Sequence, residues 1–343
     1  MNYELIIRYV LCALVIAVAL GFTACKSTVN KTTDNSSKPQ PIGPEFDADS
    51  AVAFCAQQCS FGPRTMNSEA HERCGEWIIS KFNEYGCKVK TQKADLKGYD
   101  GTILRATNIM ASFHPESKER IMLCAHWDSR PWADNDPDEA NHKTPVMAAN
   151  DGASGVAVML EIARLLNEEQ DSLHTPHFCN IGIDFVCFDA EDWGTPQWAE
   201  YHGDGDPWAL GAQFFAAHLP EGYSARYAIL LDMVGGEGAQ FHKEGVSQMY
   251  APDIVSKVWA AAKTVGYGSY FPDSEGGSVT DDHVPLNQVA NIRAIDIIPF
   301  YPDCKQSSFG PTWHTTSDTM AHIDKNTLKA VGQTIIQVLY SEK

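Results

Sequence analysis

An α/β three-layer sandwich, with a mixed, mostly parallel central sheet flanked by helices, is the architecture this sequence predicts. Three observations carry the prediction. Segments such as RIMLCAHWD (120–128) and IGIDFVCFD (181–189) are apolar on consecutive residues, as strands covered on both faces must be. The segments between them repeat apolar residues at helical spacing, and strands that alternate with helices build parallel sheets. The chain has 343 residues, of which 44% are hydrophobic, enough for one large core.

The elements follow in order. SEAHERCGEWIISKFNEYG (68–86) has helical spacing, with Ser68 as a start signal and Gly86 as a stop. CKVKTQKAD (87–95), ATNIMASF (106–113) and RIMLCAHWD read as strands. GASGVAVMLEIARLLNEEQ (152–170) is an amphipathic helix with Val156, Met159, Leu160, Ala163 and Leu166 on one face. After the strand IGIDFVCFD, the stretch from Asp192 to Gln213 has no periodicity and is expected to loop over one end of the sheet. RYAILLDMVGG (226–236) is a strand, PDIVSKVWAAAKTVGY (252–267) a helix, NIRAIDIIPF (291–300) a strand and NTLKAVGQTIIQVLYSEK (326–343) the closing helix.

The first residues read as a targeting signal. Arg8, the apolar run VLCALVIAVALGF and then TAC ending at Cys25 resemble a bacterial lipoprotein leader, 1–24, with Cys25 as the lipidated residue. The alternative is a retained transmembrane anchor, for which the run is short. Residues 25–45 are polar and read as a flexible tether, leaving 46–343 as a single catalytic domain. The expected location is therefore extracytoplasmic, on a bacterial membrane and facing the periplasm. A formal charge of -18 excludes nucleic acid as the main partner, because a phosphate polymer would be repelled. Eight cysteines lie beyond the leader and Cys25; those in apolar runs, Cys124 and Cys187, read as buried free thiols.

The chemistry-bearing residues collect at strand ends. His126 and Asp128 end one strand, Glu191 and Asp192 another, and Asp232 a third, while Asp151 and His314 sit in loops beside helices. Open α/β sheets bind ligands outside the carboxyl ends of their strands, so these side chains converge on one crevice. Taken singly, Asp151 could cap the following helix and either histidine could be an ordinary hydrogen-bonded residue. Jointly, they suit a zinc ion held by Asp151, Asp192 and His314 with one position open. The adjacent acids Glu191 and Asp192 then divide the work: Asp192 holds the ion and Glu191 moves protons.

The motifs AHWDSR, AANDGASGVAVMLEIAR, FDAED, LLDMVGG, TDDHVPL and WHTTSDT, in this order, resemble the zinc aminopeptidase superfamily. Within it they look most like the bacterial glutaminyl cyclases. The resemblance spans roughly Phe54 to the C-terminus and implies a zinc aminopeptidase-like fold. It implies one catalytic zinc on Asp151, Asp192 and His314, with Glu191 as general acid/base. Asp232 and Asp281 become a supporting carboxylate pair, and Trp313 lines the substrate pocket. Apart from the resemblance, the segment after Asp128 and the 193–213 insert are expected to shape the pocket mouth, with Trp193 and also Trp132, Trp198 and Trp208 as candidates to contact substrate, the alternative being ordinary loop packing. The implied substrates are peptides or proteins with N-terminal glutamine.

In the aminopeptidase branch, His126, Asp151 and Asp232 would hold a first zinc, and Asp151, Asp192 and His314 a second. The ligand residues do not separate the branches. TDDHVPL resembles the cyclases, because aminopeptidases commonly carry Ser-Asp-His there. A carboxylate at Asp281 that shares a proton with Asp232 would make Asp232 a poorer ligand.

Overall fold

The structure is a computed structural model and describes residues 40–171 and 181–342. The expected leader, Cys25 and most of the expected tether lie outside the described residues. Its elements are α1 (Ala48–Ser60), α2 (Glu69–Glu84), β1 (Lys88–Lys97), β2 (Ile103–Phe113) and β3 (Arg120–His126), then α3 (Ala153–Asp171), β4 (Gly182–Phe188) and α4 (Leu210–Ala217). β5 (Ala228–Leu231), α5 (Gly245–Tyr250), α6 (Pro252–Thr264), α7 (His283–Gln288), β6 (Ala294–Ile297) and α8 (Lys325–Ser341) complete the order.

The sheet runs β1-β2-β4-β3-β5-β6. β4, β3, β5 and β6 are mutually parallel, and the β1–β2 pair joins antiparallel along β4. Every residue of β3, β4, β5 and β6 is buried, whereas β1 at the edge is half exposed. Alternate side chains explain why the central strands read as unbroken apolar runs. Ile121, Leu123 and Ala125 of β3 enter the larger core beside α1, α2, α3, α6 and α8, and Met122 and Cys124 enter a smaller one beside α4 and α7.

Local signals set the longer helices. The Ser68 side chain accepts from the His71 amide at 3.1 Å, and Gly86 takes φ +73° just after α2. α3 lies so close to the sheet that a Cβ on Gly155 would stand 2.1 Å from the Leu231 carbonyl oxygen. Only glycine fits that crossing. α1, α5 and α7 are additions to the elements expected from the sequence, α1 capped by Asp47 and α5 by Glu244, and α4 begins inside the stretch expected to loop. α4 starts from Ala209 in the left-handed region with no side-chain cap, so no start signal was available to read.

The end of the expected tether is held rather than free. The Ile42 amide donates to Gln337 Oε1 at 2.8 Å, the Phe46 amide donates to Gln333 Oε1 at 2.9 Å, and Phe46 is fully buried. Cys55, Cys59, Cys74, Cys87, Cys124, Cys187 and Cys304 are free thiols, Cys124 and Cys187 fully buried. Among the described residues, no helix is long and apolar enough to cross a membrane.

Candidate metal centre and substrate cavity

The parallel strands end together, and the loops leaving them carry the site. His126 is the last residue of β3, Glu191 and Asp192 follow β4, and Asp232 follows β5 directly. Asp151 precedes α3, and His314 comes from the loop before α8. Four of these loops turn through left-handed non-glycine residues: Ala148 (φ 55°), Ala190 (φ 53°), Met233 (φ 52°) and His314 itself (φ 53°). Such backbone costs about 1 kcal/mol or more per residue and persists where surrounding contacts over-determine it.

Those contacts are specific. The amides of Glu191 and Asp192 donate to the two oxygens of Asp128, at 3.1 and 3.2 Å. The amides of Asn150 and Asp151 donate to the two oxygens of Asp318, at 2.8 and 3.0 Å. Each buried carboxylate thus fixes a loop through its backbone and leaves the adjoining acidic side chains free to face the crevice.

Three trios of donors are close enough to share an ion among the described residues: two share Asp151, and the third is Asp281, His283 and Asp296. In the first, His126 Nε2 lies 3.0 Å from Asp151 Oδ1 and 3.2 Å from Asp232 Oδ1, in hydrogen-bonding geometry with both. Burial alone would push the His126 imidazole down, but Asp128, Asp151 and Asp232 hold it well above its usual value. Within this trio one ring nitrogen, Nε2, spans an oxygen of each carboxylate.

The second trio is different. His314 Nε2 lies 3.1 Å from Asp192 Oδ1 and 3.6 Å from Asp151 Oδ2. Yet Asp151 Oδ2 and both oxygens of Asp192 are buried with no hydrogen-bond partner. Oxygens buried in that state are costly unless a cation answers them. Ligands on one tetrahedral zinc, with bonds near 2.0–2.2 Å, stand about 3.4 Å apart. The spacing and the donor types fit zinc.

Glu191 is 9% exposed and lies beside this trio. Burial, opposed by His126 and reinforced by Asp192, raises its carboxyl well above the usual range. Asp281 is pushed up to about 7 by burial and by the nearby Asp232 charge, and Asp232 is raised by burial against the pull of His126. Asp232 and Asp281 thus stand together in the site.

A cavity of about 360 Å³ opens over these groups, lined by Asp151, Glu191, Asp232, Asp281, Trp313 and His314 together with Trp208. The Trp313 ring stacks on His314 with centroids 3.8 Å apart, and the Trp208 ring lies parallel to His314 within 10° at 5.8 Å. Trp193 does not line this cavity. Its ring packs edge-on to Trp132 at 5.2 Å and fills the space over Gly98, where a Cβ would come within 2.6 Å of it. Trp208, fifteen residues on in the aperiodic insert, takes the wall position; nothing in the local pattern distinguishes the two.

This fold and site are those of a metallopeptidase-type α/β domain. Residues 108–339 match the model of Peptidase family M28, and the chain belongs to that family. It is similar to a glutaminyl cyclase of Bacteroides thetaiotaomicron, solved bound to N-acetylhistamine. That likeness is 53% identity over 88% of this chain and 99% of that one, with TM-score 0.82. It is similar to a Zn-dependent exopeptidase of Parabacteroides distasonis, with 48% identity over 87% and 99% of the two chains and TM-score 0.82. The aminopeptidase YwaD of Bacillus subtilis is 28% identical over 303 residues, 84% of this chain; the chain spans 56% of that relative's length.

Proposed function

We propose that this enzyme is a glutaminyl-peptide cyclotransferase that closes N-terminal glutamine to pyroglutamate and releases ammonia, using one zinc ion. The observation that carries the reading is the contrast between the trios. In the His126–Asp151–Asp232 group a single ring nitrogen spans one oxygen of each carboxylate, and the Asp151–Asp192–His314 group leaves three buried oxygens for a cation. One ion with a free glutamate beside it suits an intramolecular amide exchange. A two-metal hydrolase would draw on both trios. The likeness to a glutaminyl cyclase at 53% identity supports the same reading.

Zinc bound at Asp151, Asp192 and His314 would supply Lewis-acid polarisation of the γ-carboxamide carbonyl. Glu191 takes a proton from the α-amine as its nitrogen attacks the carbonyl carbon of the side-chain carboxamide; the lactam C–N bond forms and the bond to the side-chain nitrogen breaks. The same carboxyl returns the proton to the departing ammonia. Both reacting groups belong to one residue, so the cavity's main task is to select a folded-back rotamer. Trp313, Trp208 and Phe309 supply flat apolar walls for it, and Asp232 and Asp281 steady the charge near the amine. The leader-like N-terminus and Cys25 support placement outside the cytoplasm on a lipid anchor.

Purified protein supplied with zinc and a glutamine-initiated peptide should release ammonia and leave the peptide lighter by that mass with every residue retained, with one zinc per chain. Free glutamine in place of ammonia, together with two tightly held zinc ions, would overturn the cyclase reading in favour of an aminopeptidase.

A further inference from the structure

We propose that Arg130 and Asp134 are positioning residues for the metal centre, a single buried ion pair that sets both Asp192 and His314. The inference rests on the zinc reading of that trio and assigns a task to the segment following β3, which touches no reacting atom.

Arg130 is 1% exposed and Asp134 2%. One edge of the guanidinium donates to both Asp134 oxygens, Nε to Oδ1 at 3.0 Å and Nη2 to Oδ2 at 2.7 Å. Its Nη1 donates to the carbonyls of Asp192 and Gly194, at 3.1 and 3.0 Å, and lies 3.7 Å from Asp192 Oδ1. Asp134 in turn stands 3.5 Å from His314 Nδ1, the ring nitrogen opposite the one that faces Asp151 and Asp192. The next residue continues the grip, with the Asn135 amide donating to the His314 carbonyl at 3.0 Å and its Nδ2 to the Trp313 carbonyl at 3.2 Å.

The chemistry follows from the two ends of this chain of contacts. A histidine presents a lone pair to a metal at one ring nitrogen when an acceptor holds the proton on the other. Asp134 occupies that position for His314. Arg130 holds Asp134 by a forked pair of bonds while its remaining nitrogen pins the backbone of the second ligand, Asp192. Only a planar guanidinium spans a carboxylate on one edge and two carbonyls on the other; a lysine has a single charged point. Arg130 is itself held between indoles, with Trp208 at 4.6 Å and Trp132 at 5.2 Å from its central carbon. Since Trp208 lines the substrate cavity, the ion pair also ties that wall to the ligand loop.

The test is zinc affinity, measured by competition with a chromogenic chelator and accompanied by melting of the zinc-free protein. Asp134→Asn should bind zinc about 10-fold more weakly and Asp134→Ala nearer 100-fold, the range typical of partners behind a metal ligand. Activity at saturating zinc should return to within a few-fold of wild type. Arg130→Lys should weaken zinc like Asp134→Ala instead of rescuing it; if that variant does not fold, the Asp134 pair carries the test alone. Wild-type zinc affinity in Asp134→Ala would overturn this inference, even if the zinc-free protein melted lower. A wild-type protein that held no zinc would overturn the metal-centre reading itself.

Discussion

Replacing Glu191 by glutamine separates its two possible tasks. The amide has the same shape, carries no charge and does not take up a proton near neutral pH. The structure predicts that zinc stays bound. The proposed ligand atoms belong to Asp151, Asp192 and His314, and the Glu191 loop is held by its backbone amide on Asp128. Turnover should fall, because the carboxyl proposed to carry the proton is gone. General acid/base groups are worth about 10²–10⁴-fold, which corresponds to about 3–5 kcal/mol in the barrier. Burial raises the Glu191 carboxyl, so the native charge is unfavourable at this position, and the zinc-free variant should melt no lower than wild type. The assay is ammonia release from a glutamine-initiated peptide at saturating substrate, alongside zinc content per chain. Turnover within a few-fold of wild type would refute the proton-carrier role. Loss of zinc would refute the division of labour between Glu191 and Asp192.

Two further predictions address the scaffold. Gly155→Ala drives a methyl to 2.1 Å from the Leu231 carbonyl and 2.8 Å from Ala125 Cβ, so α3 must shift off the sheet. Overpacking of this kind costs about 1–3 kcal/mol or more, and the variant should melt several degrees lower or fail to accumulate. A wild-type melting temperature would show that α3 does not cross the sheet so closely. Glu244 caps α5 by accepting from the amides of Val246 and Ser247, and its ring partner is His283 at 3.2 Å. Burial opposes its charge, but the His283 contact wins and lowers it from 4.5 to about 2. Since the folded value lies below the unfolded one, the stabilisation is complete above about pH 4.5 and is lost as pH falls through about 2. Glu244→Gln should therefore cost about 3 kcal/mol near neutrality and little at pH 2, read from denaturant midpoints. An equal cost at both pH values would show that its charge is not what matters.

Much of the site was legible because its logic is local. An apolar run that stops at an acid or a histidine marks a strand end, and parallel strands bring their carboxyl ends to one side. That reasoning selected His126, Glu191, Asp192 and Asp232, and loops beside helices supplied Asp151 and His314; the structure brings all six together. The residues that hold them were harder to find. Asp318 binds the backbone of Asp151 across 167 positions, and Arg130 reaches Gly194 across 64. No period or spacing marks such partners. The short helices fail for a related reason: α4 and α7 have no side-chain cap, and their positions are set by burial against the smaller core.

The linear chain by itself determined the layered architecture and the chemical character of the crevice, because alternation, helical spacing and strand termini are properties of neighbouring residues. Only the tertiary structure decided which trio keeps its oxygens open, since both trios draw on the same kinds of side chain and differ only in their hydrogen bonding. It also decided that Trp208 and not Trp193 walls the cavity. An indole's direction in an aperiodic loop depends on what it packs against, and those partners come from distant parts of the chain.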